Sequence, residues 1–418
     1  MVALILGNTG ATNTGTGAGL TPIVGGLSLV ERAVLAAQRA GVPRSVVVGT
    51  VAPVGSTAAR LRARGAKVSF ADWTAFKRLD LTDGVLLIRN GVLVEPRALA
   101  MLLDRSRTED VRGVLVAGGS TGDPDLAMVS SSAAGALVGA NGADDLMRRL
   151  AHIEPRREVS LAPFFCRRVE PDSDLAEIET AYIRHQNGRE SFFTKKIRKF
   201  SVPLSRVLVR HGIRPNQVTL MGLVLAIGAA APVSVDVYAA SLAGALLYYA
   251  SMILDCSDGE VARLSFRDSA FGAWFETVVD YTTYFLLLGA LVIASQRRGP
   301  DDVALVTAVV ALAGSVIVVA VAGYLRQRVA GKDPGQFDDA SAAALRSSTR
   351  FHRFARWGRQ WIKRSTIAHL VVAFAVVNQL SILIYLWAFG AVVASVVIIG
   401  VEPFVVRRVK VAAPGARA

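Results

Sequence analysis

Residues 254–281 read LDCSDGEVARLSFRDSAFGAWFETVVDY, which sets Asp255 and Asp258 just after the uncharged run Val237–Leu254 and Glu276 and Asp280 in the early turns of a second apolar run, about Ala270–Ser295. Each run is long enough for a membrane helix, since a bilayer core takes about 20 apolar residues. Carboxylates at such a boundary are costly unless paired or metal-bound, so their presence marks a site. Asp255 and Asp258 are three apart and Glu276 and Asp280 four apart, which puts each pair on one face of its helix. Two antiparallel neighbours then aim four carboxylates into one cavity. Ligands that are all oxygen select hard cations, Mg²⁺ or Mn²⁺, over zinc. Gly259 and Gly272 remove side chains beside the carboxylates, and Arg263 offers a guanidinium to a phosphate.

Working outward, three more uncharged stretches supply four further helices: Val218–Val235, Val303–Leu325, and Ser365–Val401, which is too long for one helix and splits near Asn378–Gln379. Six membrane helices are expected. Composition agrees, with 52% hydrophobic residues and a mean hydropathy of +0.42, too apolar for an ordinary soluble chain. The +14 charge fits basic loops facing anionic headgroups; with 7% aromatic residues and no RNA-binding or zinc-finger spacing, nucleic acid is not an expected partner. The loop Tyr324–Thr366 carries Arg326, Arg328, Lys363 and Arg364 among its many cations, whereas the opposite side offers Arg297 and Arg298. By the positive-inside bias both termini and the site face the cytoplasm. The four named loop cations are candidates for a phosphorylated acceptor, a role that ordinary topology signals explain equally well.

Before the membrane region, residues 1–169 alternate short β-branched runs with helical stretches: Val2–Leu6, Leu29–Arg39, Ser45–Thr50, Thr57–Arg64, Lys67–Ala71 and Gly84–Arg89. That rhythm predicts a Rossmann-like α/β domain on a parallel sheet. Residues 170–216 form a charged linker and then a basic amphipathic helix: Phe192, Phe193, Ile197, Phe200, Leu204 and Leu208 recur at helical spacing against Lys195, Lys196, Arg198, Lys199 and Arg206. Such a segment suits the bilayer surface. Met1–Gly7 has no preceding basic region, so no signal peptide is expected. Cys166 and Cys256 lie in unrelated segments, indicating neither a disulfide framework nor a cysteine metal site.

The carboxylate stretch resembles the CDP-alcohol phosphotransferase signature, D-x2-D-G-x2-A-R-x8-G-x3-D-x3-D. Asp255, Asp258, Gly259, Ala262, Arg263, Gly272 and Asp280 match at every spacing, and Glu276 stands at the family's third aspartate. Glutamate keeps the charge but displaces the carboxylate by more than a bond length, which puts metal preference in question. Pro215, Asn216 and Thr219 in "IRPNQVTLMG" resemble the family's P-N-x-x-T entrance to the first helix. Over 217–408 the resemblance implies a six-helix membrane domain, usually a homodimer, that transfers a phosphoalcohol group from a CDP-alcohol to an acceptor hydroxyl and releases CMP. It implies that Asp255, Asp258 and Glu276 hold divalent metal and that Asp280 completes the site and acts as base. Asn216, Thr219, Gly259, Ala262, Arg263 and Gly272 become nucleotide and phosphate contacts. The donor is CDP-diacylglycerol or CDP-inositol, the acceptor an alcohol or inositol phosphate.

The opening "VALILGNTGATNTGTGAGLTPIVGGLSLVERAVLAAQRAG" resembles a sugar-phosphate nucleotidyltransferase, as found in fusions of an inositol-phosphate cytidylyltransferase with a di-inositol-phosphate phosphate synthase. No Lys or Arg precedes Arg32, and in "LLIRNGVLVEP" Gly91 occupies the place of the family's metal-binding aspartate. An inactive domain with a scaffolding or regulatory role is expected, with Asp125 and Asp144 or Asp145 as the remaining acidic candidates. The competing readings are a membrane-anchored nucleotidyltransferase and a carboxylate-lined transporter; the latter lacks the Gly/Pro-broken helices and inverted repeat of that class.

Overall fold

A computed structural model describes residues 1–7, 23–49, 54–81, 83–109, 112–118, 124–170, 172–188, 190–330 and 364–412. The chain divides into two units, Met1–Gly188 with Leu264–Phe266, and Arg189–Arg263 with Arg267–Ala418.

The first unit holds β1 (Val2–Leu6), β2 (Ile23–Val24), β3 (Leu27–Ser28), α1 (Leu29–Arg39), β4 (Ser45–Val48), α2 (Val54–Ala63), β5 (Val68–Ala71) and α3 (Trp73–Phe76). It continues through β6 (Val85–Ile88), β7 (Val92–Val94), α4 (Pro96–Thr108), β8 (Val114–Ala117), β9 (Leu126–Val129), α5 (Ser131–Ala134), α6 (Ala143–Ala151), β10 (Arg156–Glu158), β11 (Cys166–Arg168) and α7 (Leu175–Gln186). Seven strands form one sheet in the order β10-β8-β9-β6-β1-β4-β5. The sheet is covered on both faces, which is why its strands read as unbroken apolar runs: in β1, Ala3 and Ile5 join the core on one side while Leu4 and Leu6 join the other. Ser28 caps α1 in a capping box with Glu31, the local signal that starts the first crossover helix.

The all-parallel expectation is corrected here. Strands β1, β4, β5 and β6 are parallel, but β9 runs antiparallel to both β6 and β8. Residues 118–125 alone join β8 to β9, too few for the crossover of a dozen or more residues that a parallel return needs. The Gly-rich stretch 8–22 lies outside the described residues.

The second unit is helical: α8 (Phe192–Arg210), α9 (Pro215–Ser234), α10 (Tyr238–Leu264), α11 (Ala270–Arg298), α12 (Asp302–Ala330), α13 (Arg364–Val376) and α14 (Ile382–Ala412). Helices α9, α10 and α11 are long and apolar enough to cross a membrane, and within the described residues Asp302–Val318, Arg364–Val376 and Ile382–Val396 are shorter apolar stretches. Leu220, Val224 and Ile227 of α9 and Val306 and Val309 of α12 are exposed, a distribution suited to a lipid solvent. Small residues bring the helices together. A side chain on Gly244 would strike Val233 and the Ala229 carbonyl of α9, and one on Gly314 would strike Ala391 of α14. The uncharged stretch 365–401 divides where Asn378 adopts a positive φ of 56°.

The uncharged run ends at Leu254, but α10 continues ten residues further, to Leu264, and carries Asp255 and Asp258 in its interior. Charge does not end the helix because other helices satisfy it.

Candidate active site

The first turn of α9 begins with Pro215 at the position where a missing N–H costs nothing. One turn later, Thr219 Oγ1 donates to Asp258 Oδ2 at 2.7 Å, so the entrance motif is tied directly to the second aspartate. Asn216 lies against Gly272, where an added Cβ would sit 3.2 Å from its Oδ1. Ser269 caps α11, its Oγ accepting the Gly272 N–H at 3.0 Å. Glycine at 272 thus lets the start of α11 pass the start of α9.

On α10, Asp255 and Asp258 share a small cavity with Thr219, Ser251, Thr283 and Arg364. Arg364 opens α13 and crosses to the carboxylates: its Nη1 donates to Asp255 Oδ1 at 2.5 Å and to Asp280, and its Nη2 to Thr283 Oγ1 at 3.0 Å. The guanidinium also lies over the Tyr284 ring, 5.4 Å from its centroid, while its Nε has no hydrogen-bond partner among the described residues. The structure therefore brings Asp255, Asp258 and Asp280 around Thr219 and Arg364. Glu276 sits one turn before Asp280 on α11, partly buried. Arg263 folds back beside Gly259, its Nη1 3.3 Å from where a Cβ there would lie, and Ala262 is partly buried next to it. Arg326 and Arg328 fall on the last turns of α12, and their side chains, like the whole of Lys363, lie outside the described residues.

Three aspartates offer the hard oxygen donors that Mg²⁺ and Mn²⁺ take, so the donor chemistry fits a divalent ion. No group of three or more His, Cys, Asp or Glu forms a metal cluster among the described residues; the positive charge at Asp255 and Asp280 is Arg364.

Residues 213–349 match the family model for CDP-alcohol phosphatidyltransferases. The chain carries a CDP-alcohol phosphatidyltransferase domain. The match spans the entrance motif, the four carboxylates and Arg263. A bifunctional IPC transferase and DIPP synthase of Archaeoglobus fulgidus is 33% identical over 130 residues, 31% of this chain and 24% of the relative. A protein of the same name from Aquifex aeolicus is 38% identical over 103 residues, 24% of this chain and 23% of the relative. A third, from Thermococcus kodakarensis, is 34% identical over 121 residues, 29% of this chain and 26% of the relative. The similarity thus spans about a quarter of each relative's length.

In the α/β unit the acidic candidates have structural partners. Asp145 accepts the Asn141 N–H at 3.0 Å and pairs with Arg149 at 3.2 Å at the start of α6; the Asn141 N–H, more than Arg149, holds its carboxyl below the usual range. Asp144, in the same first turn, accepts from Arg148 Nε through its backbone carbonyl at 3.4 Å. Asp125, buried at the start of β9, has Arg168 at 4.0 Å. Gly91 follows β6 with a φ of 81°, a turn conformation that favours glycine. Burial, and secondarily Asp125, pushes the Cys166 thiol up to about 12, so it is not a nucleophile at neutral pH.

Proposed function

We propose that the phosphatidyltransferase domain moves a phosphoalcohol group from a CDP-alcohol to an acceptor hydroxyl. Asp280 takes the hydroxyl proton as the oxygen bonds to the phosphorus that carries the donor alcohol; the bond from that phosphorus to CMP breaks and CMP leaves. A divalent ion, Mg²⁺ or Mn²⁺, supplies positive charge at the diphosphate when bound. Asp255, Asp258, Glu276 and Asp280 would hold it, with Thr219 fixing the Asp258 carboxylate. Asn216, Gly259, Ala262, Arg263 and Gly272 are assigned to nucleotide and phosphate. Arg364, once its two carboxylates are otherwise neutralised, is available to an anionic acceptor together with Arg326, Arg328 and Lys363.

The reading rests chiefly on one observation: Asp255, Asp258 and Thr219, from the segment that matches the family, line a single cavity with Arg364 from beyond that segment. Donor candidates are CDP-diacylglycerol and CDP-inositol; acceptors are an alcohol or inositol phosphate. The domain works as six spans, as a homodimer, with its site and both termini on the cytoplasmic side. The α/β domain over residues 1–169 has an inactive, scaffolding or regulatory role, and 170–216 leads into the bilayer surface. The test is CMP release by purified protein in lipid, supplied with each CDP-alcohol and Mg²⁺ or Mn²⁺. No release with any donor would end this proposal.

A further inference from the structure

Glu260 lies two residues past Asp258 on α10, about 200° round the helix at 3.6 residues per turn, so it faces away from the carboxylate cavity. It is 1% exposed. Its partners come from α8: Arg198 Nη1 donates to Oε1 at 2.8 Å, Ser201 Oγ to Oε1 at 3.1 Å, and Ser205 Oγ to Oε2 at 2.5 Å. Residues 198, 201 and 205 fall on one helical face. Arg198 extends the tie, donating to the Cys256 carbonyl at 2.8 Å and to Glu190 at 2.7 Å. The other face of α8 exposes Lys195, Lys196, Lys199 and Phe200. At its start, Thr194 hydrogen-bonds Ser365 at 2.9 Å, the residue after Arg364.

A buried ion pair is a poor way to gain stability, because apolar side chains of the same volume pack as well or better. What it offers is direction. Charge-assisted bonds from three points on α8 set the rotation of the α10 turn, and that turn carries Asp255 and Asp258 on its opposite side. The Thr194–Ser365 bond fixes the helix that supplies Arg364 to the same support.

We propose that Glu260 is a positioning residue: held by Arg198, Ser201 and Ser205, it sets the orientation of the α10 turn whose far face presents Asp255 and Asp258. This rests on the phosphotransferase reading of the site. The role follows the way outer partners of a ligand set tune affinity, where their loss costs 10–100-fold.

The experiment uses full-length wild type, Glu260→Gln, Glu260→Asp and Ser205→Ala in lipid. Two readouts run in parallel: the Mn²⁺ concentration that gives half the maximal thermal stabilisation, and CMP release as kcat and donor KM. Glu260→Gln is expected to raise half-saturating Mn²⁺ at least about tenfold and to lower kcat more than it changes KM. Glu260→Asp should recover part of the metal response. Ser205→Ala, which removes one bond without stranding a charge, keeps the test open if Glu260→Gln does not fold and should give a smaller shift in the same direction. Folded variants with wild-type Mn²⁺ dependence would reduce the network to a structural tie and overturn the proposal, as would a wild type whose stability ignores Mn²⁺. Should wild type respond to Mn²⁺ but release no CMP, the phosphotransferase reading fails while the thermal readout still decides the role of Glu260.

Discussion

Replacing Arg364 with alanine removes the positive charge between Asp255 and Asp280. The guanidinium is 12% exposed and the carboxylates 17% and 28% exposed, so the group is largely withdrawn from water without being fully enclosed. Breaking a buried pair by deleting one partner costs about 3–5 kcal/mol, and the remaining exposure of Asp280 puts this case near 3 kcal/mol. In chelator, Arg364→Ala should therefore melt several degrees below wild type. Mn²⁺ reverses the sign of the comparison. If the ion and Arg364 compete for the same oxygens, the variant binds Mn²⁺ without displacing a guanidinium, and at about 1.4 kcal/mol per tenfold half-saturation falls by at least about tenfold. The assay is thermal unfolding in lipid across a Mn²⁺ series with a chelator control, which needs no substrate. Equal melting in chelator, or an unchanged Mn²⁺ midpoint, would refute the assignment of Arg364 as counter-ion to this pair.

Other perturbations separate the roles of the carboxylates. Asp280→Asn should lower CMP release by about 10²–10⁴ while donor-induced thermal stabilisation is retained; Asp258→Asn should weaken metal and donor together, and equal loss of donor binding in both would erase the division. For Glu276, we expect metal-dependent CMP release with a shift toward Mn²⁺, whose geometry tolerates the longer arm. Glu276→Gln matching wild type across a metal series would show that the carboxylate is not a ligand. Thr219→Val deletes the 2.7 Å bond to Asp258 and should cost about 1.5–3 kcal/mol, the range for hydrogen bonds to charged groups. Thr219→Ser should restore most of it in the same melting assay. Gly244→Val should destabilise the helical unit, since its Cβ already meets Val233 at 2.6 Å; wild-type melting would mean that α9 and α10 separate at no cost.

Much of this protein is decided by local pattern. Period-two and period-3.6 hydrophobicity predicted β1, α1, β4, β5 and β6 to within a few residues, because each is an apolar run bounded by its own turn or cap, as Ser28 bounds α1. The signature from Asp255 to Asp280 was legible because its spacing is set within two successive helices. The order of the sheet was not legible: the reversal of β9 follows from a short connection whose neighbours had no separate sequence signal. The sequence marks Arg364 as one of four loop cations that could meet a phosphorylated acceptor and gives no sign that it reaches the carboxylates. The fold brings Arg364 to Asp255 across 109 residues, Thr219 to Asp258 across 39, and Arg198 to Glu260 across 62. Hydrophobic period records which face of a helix is buried, whereas partners for a buried charge are chosen by which helices pack together, and only the tertiary structure decides that.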